Sequence, residues 1–132
     1  MKLNYLYLDK NSGKACSPLE IIKLIYSNTN NLNRHEQLIL LMRLLNCVSY
    51  KNSELDREIH HAINDFTSND SESKFVRSIT SSETSKVRQD KLDINLRCFK
   101  NFSRGVWGLT DYGYWVSELL LTRLNIETYN KA

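Results

Sequence analysis

Glu72-Ser73-Lys74 is an E-x-K string. Metal-dependent nucleases use such a string, after an earlier aspartate, to hold Mg²⁺ and polarise a water. Here the preceding aspartates, Asp65 and Asp70, stand too close for the usual strand arrangement, and a chance match is the stronger reading. His60, His61 and Asn64 superficially suggest a metal-nuclease cluster. Adjacent residues on a helix point about 100° apart, and no histidine follows His61 to supply another ligand. His35-Glu36 lacks a second histidine at helix spacing, and Glu36 fits a capping role. Cys16, Cys47 and Cys98 are widely spaced and odd in number, with no C-x-x-C pair. They read as thiols of a reducing, cytoplasmic compartment, not as a zinc site. No glycine-rich phosphate loop or nucleophile elbow is present. The expectation is a protein without catalytic residues, metal or cofactor.

Charge is more informative. Residues 71–105 hold Lys74, Arg77, Lys86, Arg88, Lys91, Arg97, Lys100 and Arg104 against Glu72, Glu83, Asp90 and Asp93. That excess of four exceeds the net +3 of the whole chain. A basic stretch of this kind suits an acidic partner such as nucleic acid, and equally a solvated loop.

The elements that must position these residues follow from patterning. A chain of 132 residues suits one domain, 1–132, and 41% hydrophobic with 25% charged residues is globular composition. No apolar run reaches the roughly 18 residues of a membrane span, so no membrane partner is expected. Residues 3–8 read as a short strand, and residues 9–14 (D-K-N-S-G-K) as a turn. Ser17-Pro18-Leu19-Glu20 opens a helix with a capping box; Ile21, Ile22, Ile25 and Tyr26 form its apolar face, and it ends near Asn28. Asn33 caps a second helix, apolar nearly all round from Leu38 to Val48. A third begins at Ser53, with Leu55, Ile59, Ala62, Ile63 and Phe66 on one stripe. Residues 74–78 (K-F-V-R-S) read as a strand, residues 79–91 are ambiguous, and the alternation of Leu92, Ile94, Leu96 and Cys98 reads as another strand. Residues 100–105 form a turn, residues 106–109 the returning strand. Thr110 caps a last helix, about 111–126, with Trp115, Val116, Leu119, Leu120 and Leu124 on its apolar side.

Three of the chain's four glycines fall in F-S-R-G-V-W-G-L-T-D-Y-G, residues 102–113. Gly105 is free to take the positive φ that closes a hairpin. Gly108 inside a strand marks the close approach of another backbone. Gly113, early in the last helix, suits close packing there. Three helices, a hairpin and a further helix make the plan of a winged helix-turn-helix, an α+β fold that is mostly helical, with its core about 17–113.

The string S-R-G-V-W-G-L-T-D-Y-G resembles the second wing strand of winged-helix modules joined to bacterial restriction endonucleases, the Mrr N-terminal type among them. It is also similar to the HARE-type helix-turn-helix module and the related domain of the RNA polymerase delta subunit. Ser73-Lys74-Phe75-Val76-Arg77 matches the first wing strand of those modules. Here about twenty-five residues separate the two strings, far more than a hairpin loop. Either the wing is long and basic, or residues 92–99 replace K-F-V-R as the paired strand.

The resemblance implies a protein that binds double-stranded DNA, as a regulator or as the DNA-recognition component of a restriction or similar defence system. The third helix would present Arg57, His61 and Asn64 to the major groove, although Glu54, Asp56, Glu58 and Asp65 share it. Arg97, Lys100 and Arg104 at the wing, with Lys86 and Arg88, would meet phosphates or the minor groove. The rival is a winged-helix module for protein docking or dimerisation, including a phage-type inhibitor. A homodimer and a separately encoded protein partner both fit that rival.

Overall fold

The computed structural model describes residues 5–45, 48–49, 74–76, 78–79, 98–103 and 106–130. The elements are β1 (Tyr5–Asp9), β2 (Ala15–Cys16), α1 (Pro18–Ser27), α2 (Arg34–Leu45), β3 (Val48–Ser49), β4 (Phe99–Ser103), β5 (Val106–Leu109), α3 (Asp111–Arg123) and β6 (Ile126–Asn130). Among the described residues the strands form two antiparallel sheets, ordered β2-β1-β6 and β3-β5-β4. The fold is α+β.

Local chemistry explains the helix starts. Glu20 N–H donates to Ser17 Oγ at 3.2 Å, and Ser17 N–H donates back to Glu20 Oε1 at 3.4 Å, with Pro18 as the first helical residue. Asn33 and Glu36 make the same reciprocal pair, at 2.8 and 3.0 Å. Two donors left over at each helix start are thereby satisfied. Gly113 N–H donates to Thr110 Oγ1 at 3.1 Å and opens α3. The turn expected at residues 9–14 also forms: Gly13 takes φ +70°, and its N–H donates to the Asp9 carbonyl at 2.8 Å.

α2 is the hub. Every residue from Gln37 to Leu45 is buried, because α1, α3 and β5 all lie against it. Its one charged residue in that run, Arg43, has a side chain only 1% exposed. Arg43 Nη1 donates to Ser117 Oγ at 2.7 Å, Nη2 donates to the Glu118 carboxylate, and the guanidinium lies 5.3 Å from the centre of the Tyr114 ring. Burial works against this charge, but Tyr7 and Glu118 more than offset it and hold the group above its ordinary pKa. The seam between α2 and α3 is thus closed by an ion pair whose guanidinium is buried and whose carboxylate is half exposed.

Several expectations are corrected. Residues 74–76 and 78–79 are helical, so K-F-V-R-S is not a strand; Val76 and Ile79 bury a helical i, i+3 pair, a spacing that alternation does not serve. The partner of V-W-G-L is Phe99–Ser103, so Lys100 to Ser103 is strand and not turn. Val48 belongs to β3, not to the second helix. The last helix stops at Arg123, where Asn125 takes φ +59° and turns the chain into β6. Its buried face is Gly113, Ser117, Leu120 and Leu121, whereas Trp115 and Leu119 are exposed. Tyr26 likewise lies outside the core, 43% exposed. The third predicted helix, from Ser53, lies outside the described residues.

Candidate nucleic-acid interface

The β4–β5 hairpin carries the site that the sequence points to. Ser103 pairs with Val106, so only Arg104 and Gly105 separate the strands; both lie outside the described residues. The register runs Phe99 to Leu109, Lys100 to Gly108 and Asn101 to Trp107, then slips by one residue before Ser103. Such a bulge sharpens local twist. Phe99 and Leu109 are buried opposite one another. One residue along, the pleat sends Lys100 to the other face, where it is exposed opposite Gly108. β3 completes this sheet through Val48 against Trp107 and Ser49 against Val106.

α3 follows the hairpin after a single residue and is held tightly to it. Thr110 N–H donates to the Cys98 carbonyl at 2.9 Å. A Cβ on Gly113 would stand 2.2 Å from that same carbonyl oxygen. Only glycine permits this approach, so one glycine of the cluster docks the last helix onto the start of the hairpin. Burial pushes the Cys98 thiol up, and burial followed by Glu20 and Asp9 does the same for Cys16. Neither described cysteine is an activated nucleophile.

A second feature adjoins the hairpin. Tyr26 and Phe75 meet with ring centres 5.1 Å apart, and with Thr29, Lys74 and Ser78 they line an open cleft of about 450 Å³. Arg34 Nη2 donates to the Ser78 carbonyl at 3.5 Å, on the rim of this cleft. His35, the next residue, sets its ring edge-on to Phe99 at 5.1 Å, and Phe99 precedes Lys100. Arg34 and Lys74 are thus exposed cations at this cleft, whereas Lys100, one residue past Phe99, lies on the other face of β4. Cations at the rim of an open cleft can hold phosphates. Glu36 in the same turn is engaged by Arg123 at 3.0 Å, so its charge is compensated.

Of the sequence-predicted contact residues, Lys100 is described, on the exposed face of β4. Arg57, His61, Asn64, Lys86, Arg88, Arg97 and Arg104 lie outside the described residues. Sequence reading missed Tyr26 and Arg34. The signal for Tyr26 was its place at the end of an apolar face already filled by three isoleucines.

A different cleft, about 270 Å³, is lined by Lys10, Glu118, Thr122, Glu127 and neighbours. Its charges are already matched, Lys10 with Glu127 at 3.9 Å and Arg43 with Glu118. No described helix is long and apolar enough to cross a membrane. No protein-family model matches the chain, and no curated protein or solved structure matches it significantly.

Proposed function

We propose that this chain is a winged-helix protein that binds double-stranded DNA, as a regulator or as the DNA-recognition component of a restriction or similar defence system. The observation that carries the reading is the hairpin. Its strands meet across two residues of sequence R-G, a short strand directly after α2 completes its sheet, and a helix follows at once. That order suits a wing, and the S-R-G-V-W-G-L-T string falls on it. Lys100 on the exposed face and Arg104 between the strands give the wing its charge. In this reading the wing follows phosphates or enters a narrow minor groove, and a helix from the segment before it enters the major groove. Arg34 and Lys74, at the Tyr26–Phe75 cleft, offer further phosphate contacts.

Fluorescence anisotropy with random and AT-rich duplexes tests this. Affinity should fall steeply with salt. A Lys100→Ala/Arg104→Ala variant should bind more weakly on all sequences. Its log–log salt slope should be shallower by about 2, one unit for each lost phosphate contact. A folded protein that binds no duplex even at low salt would rule the reading out.

A further inference from the structure

Four strands lie at sheet edges among the described residues, and three of them are protected against pairing with another chain. β2 and β3 are two residues long. β4 is bulged and carries Lys100. β6, Ile-Glu-Thr-Tyr-Asn, is neither short, bulged nor lysine-bearing, and it keeps an unbroken five-residue register with β1. The ladder assigns its outer side. Lys10 N–H donates to the Asn125 carbonyl at 2.8 Å, one step beyond the Asp9–Ile126 pair. Bonded and non-bonded pairs alternate in an antiparallel ladder. Glu127 and Tyr129 therefore bond to β1, while the N–H and C=O groups of Ile126, Thr128 and Asn130 point away from it. Among the described residues nothing bonds them from that side. The cleft of about 270 Å³ lies there, lined by Ile126, Glu127, Thr128 and Tyr129 with Glu118 and Thr122 of α3. Successive strand residues belong to opposite pleat faces, so a cleft that touches all four runs along the strand's edge.

We propose that β6 pairs antiparallel with β6 of a second copy, about a two-fold axis at Thr128. The buried hydroxyl selects that occupant. Thr128 stands opposite Tyr7 on the core face, and its Oγ1 is buried without a hydrogen-bond partner. A buried hydroxyl left unpaired costs stability. Thr128 is only partly buried and lines the cleft, so one χ1 step brings the hydroxyl to the edge. There the two-fold axis sets it beside its twin on the same face, one donating and the other accepting. The same register uses every outward backbone group. Thr128 exchanges both bonds with Thr128 of the second copy, and Ile126 exchanges both with Asn130. Glu127 then lies opposite Tyr129 of the second copy on the other face. Charge does not oppose the pairing. Glu127 is held by Lys10 at 3.9 Å and by the Tyr129 hydroxyl at 2.7 Å, and Glu118 is held by Arg43. A lining with its charges matched has little to draw a strongly basic or acidic peptide instead. The product is one continuous sheet built from β2-β1-β6 and its two-fold mate, an isologous contact. Five residues a side fall well short of the roughly 20–30 of a standard interface, so the dimer is weak and concentration-dependent. The inference does not rest on DNA binding.

Sedimentation velocity from low micromolar to millimolar concentration is the test, on the full chain without DNA. The mass should rise from monomer toward dimer. Thr128→Pro removes an outward N–H and no bond to β1, a place where an edge strand tolerates proline. It should weaken association about tenfold or more, since each copy loses one bond across the seam. Amide exchange on the parent chain gives a second readout. The Ile126, Thr128 and Asn130 amides should slow as concentration rises, while those of Glu127 and Tyr129 stay slow throughout. The register is checked at the exposed Tyr129. Tyr129→Glu sets like charges opposite Glu127 of the second copy, and Tyr129→Lys sets opposite ones. The lysine variant should associate more tightly than the glutamate variant; equal weakening overturns the antiparallel register. A monomer at every concentration overturns the proposal. So does a dimer whose Ile126 and Thr128 amides exchange no more slowly than the monomer's, which would place the interface elsewhere.

Discussion

In the sheet β2-β1-β6, Tyr5 faces Asn130 and Asp9 faces Ile126 in an unbroken five-pair ladder, so opposite ends of the chain are joined directly. In the sheet β3-β5-β4, the main pair meets across two residues and its register slips once. The first sheet is regular but closes a loop of nearly the whole chain, an entropic cost that a local hairpin does not bear. The main pair of the second forms from neighbours and gives up regularity between Asn101 and Ser103. A long-range ladder reports the integrity of the whole fold. A local hairpin can be bent, charged and exposed without threatening it, which suits a contact surface. α3 joins the two, with Gly113 against the hairpin side and Asn125 turning into β6.

The largest expected effect comes from the guanidinium in the seam between α2 and α3. Arg43→Ala leaves the Ser117 and Glu118 partners without their donor and opens a cavity in the seam between α2 and α3. Truncating a fully buried side chain of this size costs about 2–5 kcal/mol, through lost packing and the cavity it leaves. Urea unfolding should show that loss, and hydrogen exchange should accelerate in both sheets together. Arg43→Met keeps most of the volume, and Glu118, nearly half exposed, can rehydrate, so much of the stability should return. An Arg43→Ala protein as stable as the parent would remove Arg43 from its central place.

Gly113→Ala comes next and separates the two regions. Alanine gains up to about 1 kcal/mol over glycine in a helix. Here the added carbon meets a backbone oxygen that no rotamer can move aside. Overpacking of this kind costs about 3 kcal/mol, leaving a net loss of about 2 kcal/mol. The strain falls on Cys98, so amides of β4 and β5 should exchange faster while the β1–β6 ladder is less affected. Stabilisation by alanine would mean that α3 does not need this close approach.

What was legible in the sequence follows the same division. Both capping boxes, the Thr110 cap and the strand at 106–109 were readable because each depends on residues within a few positions. The buried apolar run of α2 was readable, but not Arg43 within it, since its partners Ser117 and Glu118 are remote in sequence. β6 was invisible for the same reason: I-E-T-Y-N becomes a strand only when β1 supplies its ladder. K-F-V-R-S failed because short apolar runs do not distinguish strand from helix by period. Trp115 and Leu119 were placed on an apolar side because hydrophobicity marks a face without saying what covers it. The hairpin itself was found through R-G-V-W-G-L, with its partner strand displaced to residues 99–103.

The smallest effect should come from the turn at Asn125, and it sharpens the comparison from the other side. Asn125 holds φ +59°, its N–H donates to the Thr122 carbonyl at 3.0 Å, and its own carbonyl accepts from Lys10 N–H at 2.8 Å. The turn therefore closes α3 and aligns β6 with β1 in one step. Asparagine tolerates this left-handed geometry and glycine takes it without strain. Asn125→Gly should leave stability nearly unchanged. Asn125→Val should cost about 1–2 kcal/mol, because a β-branched residue is poorly accommodated at positive φ. Exchange should accelerate first in β1 and β6 and leave β4 and β5 protected, the reverse of the Gly113→Ala pattern. Should both variants loosen the same amides equally, the two sheets open as one unit, and the separation of a contact hairpin from a closing ladder would not hold.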